Sequence, residues 1–339
     1  MATYRDAGVD LDAADAVVDS IATAVTATWG DRVTGGFGGF AAGVRLPPGY
    51  ADPILMMSTD GVGTKAEVAR RADHVEGLGW DLVAMCIDDL VAAGARPIAM
   101  TDYLAVGRID VDRVGRIVRS IAAACEEAGV ALLGGETAEH PGVMEPDAFD
   151  LAGAALGVVE AGAAIDGSKV KPGDVIVGVG SPNVRANGFS LIRKVVLDQL
   201  ALDDPLPGCD GTVAEVLLEP SVLYSPAILA VVGAVPVHGL AHITGGGLPG
   251  NLPRILPEAC DAQIDPDAWV PPAVFAAIQQ LGNVPAAEMY RTFNMGIGFT
   301  IVLAEDDAEA AINILQRHDR RAGVIGSIIP GSGTVRLGG

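Results

Sequence analysis

Ser58-Thr59-Asp60-Gly61-Val62-Gly63-Thr64-Lys65, directly behind the apolar run Ile54-Leu55-Met56-Met57, is the stretch on which the reading of this chain turns. A strand ends in a carboxylate, two glycines, a hydroxyl and a lysine, where a helix can start. Those groups suit a metal-bound polyphosphate. The Asp60 carboxylate can ligate Mg²⁺, Gly61 and Gly63 bring backbone N–H groups close, and Lys65 offsets phosphate charge. The spacing is not the Walker pattern, which needs four residues between its glycines and a hydroxyl after the lysine. A turn after any buried strand also favours Asp and Gly, so the segment needs company.

Company lies on both sides. Leu82, Met85, Cys86, Leu90 and Val91 recur at helical spacing and predict a helix over 77–94. Asp81 and Asp88, seven residues apart, share a face of it, with Asp89 about 80° from Asp81. Carboxylates among apolar neighbours are costly to bury unless a cation or donors satisfy them, and Asp89 can join Asp60 at a metal. Gly134-Gly135-Glu136-Thr137 ends the buried run Val130 to Leu133; a tight turn with an exposed Glu is the plain alternative. Open sheets place ligands at one edge of their strand ends, so Asp60 and Glu136 are expected to converge. His242-Ile243-Thr244-Gly245-Gly246-Gly247 runs into a helix at Leu248, and its glycines suit an anion held by backbone N–H groups. Asn187-Gly188-Phe189-Ser190 repeats the theme, although an Asn N-cap explains it equally well.

Composition narrows the ligands. The chain has 339 residues, half of them hydrophobic and 4% aromatic, which favours two domains with aliphatic cores. Twenty-two basic against 43 acidic residues give a formal charge of −21, which disfavours nucleic acid and anionic membrane as partners. A phosphate ligand then needs a local positive pocket or a bridging cation. Cys86, Cys125, Cys209 and Cys260 form no C-x-x-C pair and read as small apolar residues in a reducing compartment. The start, Met1-Ala2-Thr3-Tyr4-Arg5-Asp6, lacks the features of a signal peptide, and no apolar run is long enough to span a bilayer. A soluble, cytoplasmic protein is expected.

Periodicity predicts helices at 10–28, to about Ala72, 77–94, 110–129, 187–200, 212–232, 272–281 and 305–317. Strands are expected at 54–59, 97–106, 130–133, 149–159, 175–179, 237–243, 296–303 and 323–329, with a boundary at Asp166 to Lys171. Such alternation argues α/β or α+β and leaves strand order open. Gly178-Val179-Gly180 lacks the last glycine of a dinucleotide fingerprint, and neither G-x-S-x-G nor H-E-x-x-H occurs.

Read together, these segments resemble the phosphoribosylformylglycinamidine cyclo-ligase (AIR synthetase) family, within the AIR synthetase-like ATP-binding superfamily. The match begins at Tyr4-Arg5-Asp6-Ala7-Gly8-Val9-Asp10 and continues through Gly35 to Phe40, Ser58 to Lys65, Asp81 to Cys86, Gly134 to Glu139, Asn187 to Leu191, His242 to Gly247 and Met289 to Gly296. The resemblance implies an N-terminal α/β ATP-binding and dimerisation domain (1–168) and a C-terminal α+β domain (169–339). In a homodimer, the N-terminal sheet would pair with its partner's into a barrel. It implies ATP-dependent ring closure of formylglycinamidine ribonucleotide, with Mg²⁺. By position, Asp60, Asp89 and Glu136 would be metal ligands, with Gly61, Gly63, Thr64, Lys65, Gly134 and Gly135 joining Asp60 and Glu136 around ATP. Arg185, Asn187, Gly188, Ser190, Thr244, Gly245 and Gly246 would meet the substrate, and Lys65, Asn187 and His242 would be catalytic.

Three positions depart from the family pattern. Asp88 precedes Asp89 where Asn is usual, Arg185-Ala186 replaces His-Ser before Asn187-Gly188, and His140 stands where an apolar residue is commoner. The role of that histidine does not carry over, although Arg185 is able to hold a phosphate. The alternatives are another ATP-using superfamily member or a non-catalytic nucleotide-binding homologue. Selenophosphate synthetases need a reactive Cys or Sec near the N-terminus, whereas the first cysteine here is Cys86; the hydrogenase-maturation type ends in Cys, whereas Leu337-Gly338-Gly339 ends this chain.

Overall fold

The computed structural model describes residues 7–338, so the first segment of the family match, from Tyr4 to Asp6, lies outside the described residues. The chain divides into two compact units, Met1–Leu90 with Arg96–Glu160, and Val91–Ala95 with Ala161–Gly339.

The first unit runs α1 (Leu11–Ala27), β1 (Val33–Thr34), β2 (Gly43–Val44), β3 (Pro53–Gly61), α2 (Lys65–Ala72), α3 (Leu78–Ala92), β4 (Arg96–Val106), α4 (Val111–Ala128), β5 (Ala131–Glu139) and β6 (Phe149–Glu160). Local chemistry sets the helix limits. Asp10 and Asp110 cap α1 and α4 through carboxylates that accept from Ala13 N and Arg113 N, and α4 stops at Gly129 in the left-handed conformation. The main sheet has the order β3-β6-β4-β5, with β4 and β5 parallel and the other pairs antiparallel. Alternation gives the sheet two unlike faces. Met100, Asp102 and Leu104 of β4 are buried, whereas Leu55, Met57 and Tyr103 are exposed by 53%, 76% and 42% and lie on the opposite face.

The second unit adds β7 (Asp174–Gly180), α5 (Phe189–Val195), α6 (Val213–Leu217), α7 (Ser225–Val232), β8 (Gly239–His242), α8 (Gly247–Asn251), β9 (Cys260–Ile264), α9 (Ala273–Gly282), α10 (Ala286–Thr292), β10 (Ile297–Ala304), α11 (Ala308–Arg317), β11 (Ala322–Pro330) and β12 (Val335–Leu337). Its sheet order is β12-β9-β11-β7-β10-β8, antiparallel except for β12 with β9. β7 reads as an unbroken apolar run because both of its faces are covered. Val175, Val177 and Val179 join residues of α7 and α11 in one core, and Ile176 joins Leu248, Ala262 and Ile325 in another.

Differences from the sequence expectation have local causes. The helix expected over 212–232 is two, because Pro220 interrupts it. The one expected over 187–200 spans only Phe189–Val195, and Gly188 rather than Asn187 is its N-cap. β5 runs to Glu139, so Gly134-Gly135-Glu136-Thr137 is strand rather than the turn after one. β9, α10 and β12 were not anticipated.

Candidate functional site

In the first unit, β3 runs on through Asp60 and Gly61, so the turn expected at Asp60 follows the strand at Val62 to Thr64. Asp60 is exposed, and its Oδ1 accepts from Gly61 N at 2.7 Å. Lys65 behaves differently. Its Nζ lies 2.7 Å from Asp81 Oδ2, and both side chains are fully buried. The amphipathic turn of α2 brings Lys65, Ala66, Val68 and Ala69 inward together, so the ammonium faces a helix carboxylate rather than solvent. Lys65, expected at phosphate and in catalysis, here pairs with Asp81 inside the fold.

α3 sorts its acids by face. Asp81 and Asp88 are buried, one helical repeat apart, while Asp89 is exposed. Cys86 reports on Asp60 and Asp89 together. Its thiol is pushed up to about 12, first by burial and then by the carboxylates of Asp60 and Asp89. Glu136 does not join them. Asp60, Gly153, Asp102 and Gly135 form one row across the four strands. Glu136, beside that row on β5, is three strand spacings from β3, or about 14 Å. Among the described residues no cluster of three or more His, Cys, Asp or Glu is arranged for a metal. Of the three carboxylates expected at the metal, Glu136 stands on β5, apart from Asp60 on β3. Asp60 with Asp89 suits Mg²⁺, which commonly takes one or two carboxylates and completes its shell with phosphate oxygens and water.

Gly134, Gly135 and Glu136 instead line a cavity of about 270 Å³ with Gly36–Gly39. Asp102 lines it too. It is 8% exposed, and burial pushes its carboxyl up to about 7, opposed by a hydrogen bond from its own backbone N–H. Sequence reasoning missed this residue. The available signal was a lone Asp at an inward position of the apolar strand from Ile98 to Val106.

In the second unit, Arg185 and His242 form the centre of the site. Arg185 is fully buried in the left-handed region at φ 59°. Its guanidinium sits 4.9 Å from the Tyr224 ring centroid, Nη1 lies 2.6 Å from His242 Nε2, and Nη2 donates to Val222 O at 3.3 Å. His242 is 5% exposed and stacks on Phe299 at 5.9 Å and 23°. Arg185, expected at the substrate, here directs its guanidinium to His242 and Tyr224.

The loops around this centre are held by side chains that the sequence did not single out. Asn183 Oδ1 accepts from Arg185 N at 3.0 Å, and Asn294 Nδ2 donates to Asn183 O at 3.0 Å. Asn251 Nδ2 donates to Gly247 O at 2.8 Å and to Gly245 O at 3.3 Å, fastening the 244–247 turn. A Cβ at Gly247 (φ 57°) would lie 2.0 Å from Tyr290 O, so only glycine fits there. Asn187 is brought beside Gly245, whose Cβ would stand 3.8 Å from Asn187 Nδ2. Ser190 is exposed on the first turn of α5. Asn187, Gly245 and Gly246 therefore cluster at one end of the second sheet, beside His242.

Comparison with known proteins agrees with this architecture. The family model for the N-terminal domain of AIR synthase related proteins matches residues 39–159, and that for their C-terminal domain matches 171–338. A phosphoribosylformylglycinamidine cyclo-ligase of Myxococcus xanthus (strain DK1622) is 46% identical over 334 residues, 98% of this chain and 97% of that protein. The fold is shared with a thiamine-monophosphate kinase from Stenotrophomonas maltophilia K279a (TM-score 0.71, 22% identity, 95% of each chain). It is also shared with the hydrogenase maturation protein HypE in complex with ATP (TM-score 0.66, 21% identity, 96% of this chain and 89% of that one). With both halves matched in order and nearly half its residues identical to a full-length relative, this chain belongs to the phosphoribosylformylglycinamidine cyclo-ligase (AIR synthase) family.

Proposed function

We propose that the chain uses ATP to close the imidazole ring of formylglycinamidine ribonucleotide, giving 5-aminoimidazole ribonucleotide, ADP and phosphate, a step of purine biosynthesis. The observation that carries this reading is the 46% identity to a named cyclo-ligase across 98% of the chain. In the reaction, the formyl amide oxygen attacks the γ-phosphorus and ADP leaves. The amidine nitrogen then attacks the activated carbon, the oxygen departs with phosphate, and the nitrogen releases a proton. An amide oxygen leaves poorly until it is phosphorylated, so the protein's contribution is largely positioning and charge neutralisation.

The assignment of roles follows the geometry. The segment Asp60 to Thr64 is the phosphate-facing element, and exposed Asp60 and Asp89 are carboxylates suited to Mg²⁺, which when bound would neutralise phosphate charge. Gly134, Gly135 and Glu136 contribute to ATP binding through the cavity they share with Gly36–Gly39. Asn187, Gly188, Ser190, Thr244, Gly245 and Gly246 are the substrate-side set, with Asn187 and His242 nearest the chemistry. Exposed Leu55, Met57 and Tyr103 on one sheet face support a homodimer in which that face is covered, as the barrel requires. Four free cysteines suit a cytoplasmic setting.

Purified protein given ATP, Mg²⁺ and formylglycinamidine ribonucleotide should form aminoimidazole ribonucleotide and ADP in equal amounts. Folded protein that releases no substrate-dependent ADP would overturn the reading.

A further inference from the structure

A cavity of about 620 Å³ in the second unit takes no part in the site described above. It lies over the ends of β7 and β11, and none of Asn187, Gly188, Ser190, His242 or Thr244 to Gly246 lines it. Its size is that of a pocket for a small organic ligand.

One wall is built around Trp269. The indole N–H donates to Met295 O at 2.8 Å, and Met295 and Gly296 are consecutive left-handed residues, at φ 50° and 93°. A non-glycine residue held at positive φ stores strain that surrounding structure must maintain, and such residues concentrate at functional sites. Here the strain is spent on fixing an aromatic side chain at a cavity.

The lining is also basic. Arg320 and Arg321 both line the cavity. The only other adjacent arginines, Arg70 and Arg71, are tied to Glu67. Arg320 Nη2 donates to Leu223 O at 3.1 Å, which anchors the guanidinium, whereas its Nε is buried with no hydrogen-bond partner among the described residues. A buried donor without a partner is costly, and an anion would satisfy it. Asp319 also lines the cavity, and its carboxylate is able to accept from hydroxyl groups. In a chain of formal charge −21, two adjacent arginines lining one cavity with a tryptophan are an uncommon local arrangement.

We propose that this cavity is a binding site for a ribonucleoside 5′-monophosphate, with Trp269 against the base, Asp319 on the ribose hydroxyls and Arg320 and Arg321 on the phosphate. The site stands on the cavity alone and is independent of the cyclisation reading.

Gly323 supplies the test. It lines the cavity, and a Cβ added there meets nothing within 4 Å, so Gly323→Leu fills the space without a backbone clash. Calorimetric titration of the full-length protein with AMP, with a non-hydrolysable ATP analogue kept saturating, should show saturable binding. Adenosine and ribose 5-phosphate should each bind at least about tenfold more weakly, since each lacks half of the recognition. Gly323→Leu and Arg321→Ala should each weaken AMP binding by about tenfold or more while leaving ADP release from the cyclisation assay unchanged. Arg321 is exposed, so its variant decides the matter even where Gly323→Leu folds poorly. AMP binding that is absent, or that persists undiminished in Arg321→Ala, would overturn the proposal.

Discussion

Arg185 Nη1 lies 2.6 Å from His242 Nε2, in a region where Arg185 is fully buried and His242 is 5% exposed. A guanidinium only donates, so Nε2 accepts and the imidazole carries its proton on Nδ1. The arginine thereby sets which edge of His242 is a donor. Arg185→Ala removes a buried cation, its cation–π contact with Tyr224 and two or more hydrogen bonds, and should lower stability by about 3 kcal/mol or more. Arg185→Lys keeps the charge without the planar fork and should fall between the two. Urea unfolding of the three proteins checks the order.

The Lys65–Asp81 pair predicts a different separation. If Lys65 touched phosphate, its removal would raise KM for ATP and leave stability alone. The burial of both partners predicts the reverse: Lys65→Met strands a buried carboxylate and should destabilise the fold by about 3–5 kcal/mol. The double variant Lys65→Met with Asp81→Leu should recover much of that loss, because two apolar groups replace the pair. Denaturant midpoints of the single and double variants test this.

Asp102 gives a pH dependence whose sign is set by burial. Its carboxyl is raised from the ordinary range to about 7, so the unfolded chain loses this proton first as pH rises. Its contribution to stability is intact below about pH 4, declines between about pH 4 and 7 and is flat above. The full span is at most about 4 kcal/mol. Asp102→Asn should therefore gain on the parent protein across that window and keep a constant advantage at higher pH. The difference in unfolding free energy between the two proteins, measured from pH 4 to 8, is the readout; a difference that shrinks with rising pH would contradict it.

Cysteine reactivity offers a test of burial in both units. The Cys86 thiol is pushed up to about 12, and burial also raises Cys125 and Cys260, all three being buried, whereas Cys209 is half-buried. Since the thiolate is the reactive species, iodoacetamide at pH 8 should modify Cys209 first in the native protein. Mass spectrometry should find the other three alkylated only after unfolding.

Much of the secondary structure was legible because its causes are local. The limits at Asp110 and Gly129, the apolar period of α3 and the continuous run of β7 each act within a few residues. β9, α10 and β12 escaped notice because they are short segments whose form depends on what they pack against. β9, for example, becomes a strand by pairing with β11 and β12. At the site, Asp60, Asp89, Asn187 and the 242–247 turn stood out as polar or glycine-rich breaks in apolar runs. Asp102, Asn183, Asn251 and Asn294 did not, since single polar residues reveal themselves only by what they bond to.

By itself, the sequence determined the family, the existence of two halves that mix strands and helices, the placement of most helices and strands, and which residue types cluster around the Asp60 and His242 segments. Only the tertiary structure decided how those residues are used. It turned Lys65 onto Asp81, turned Arg185 onto His242, and set Glu136 three strands from Asp60. The physical reason is that the direction of a long charged side chain and the order of strands in a sheet are fixed by partners far away in the chain, whereas caps, turns and periodicity are fixed by neighbours.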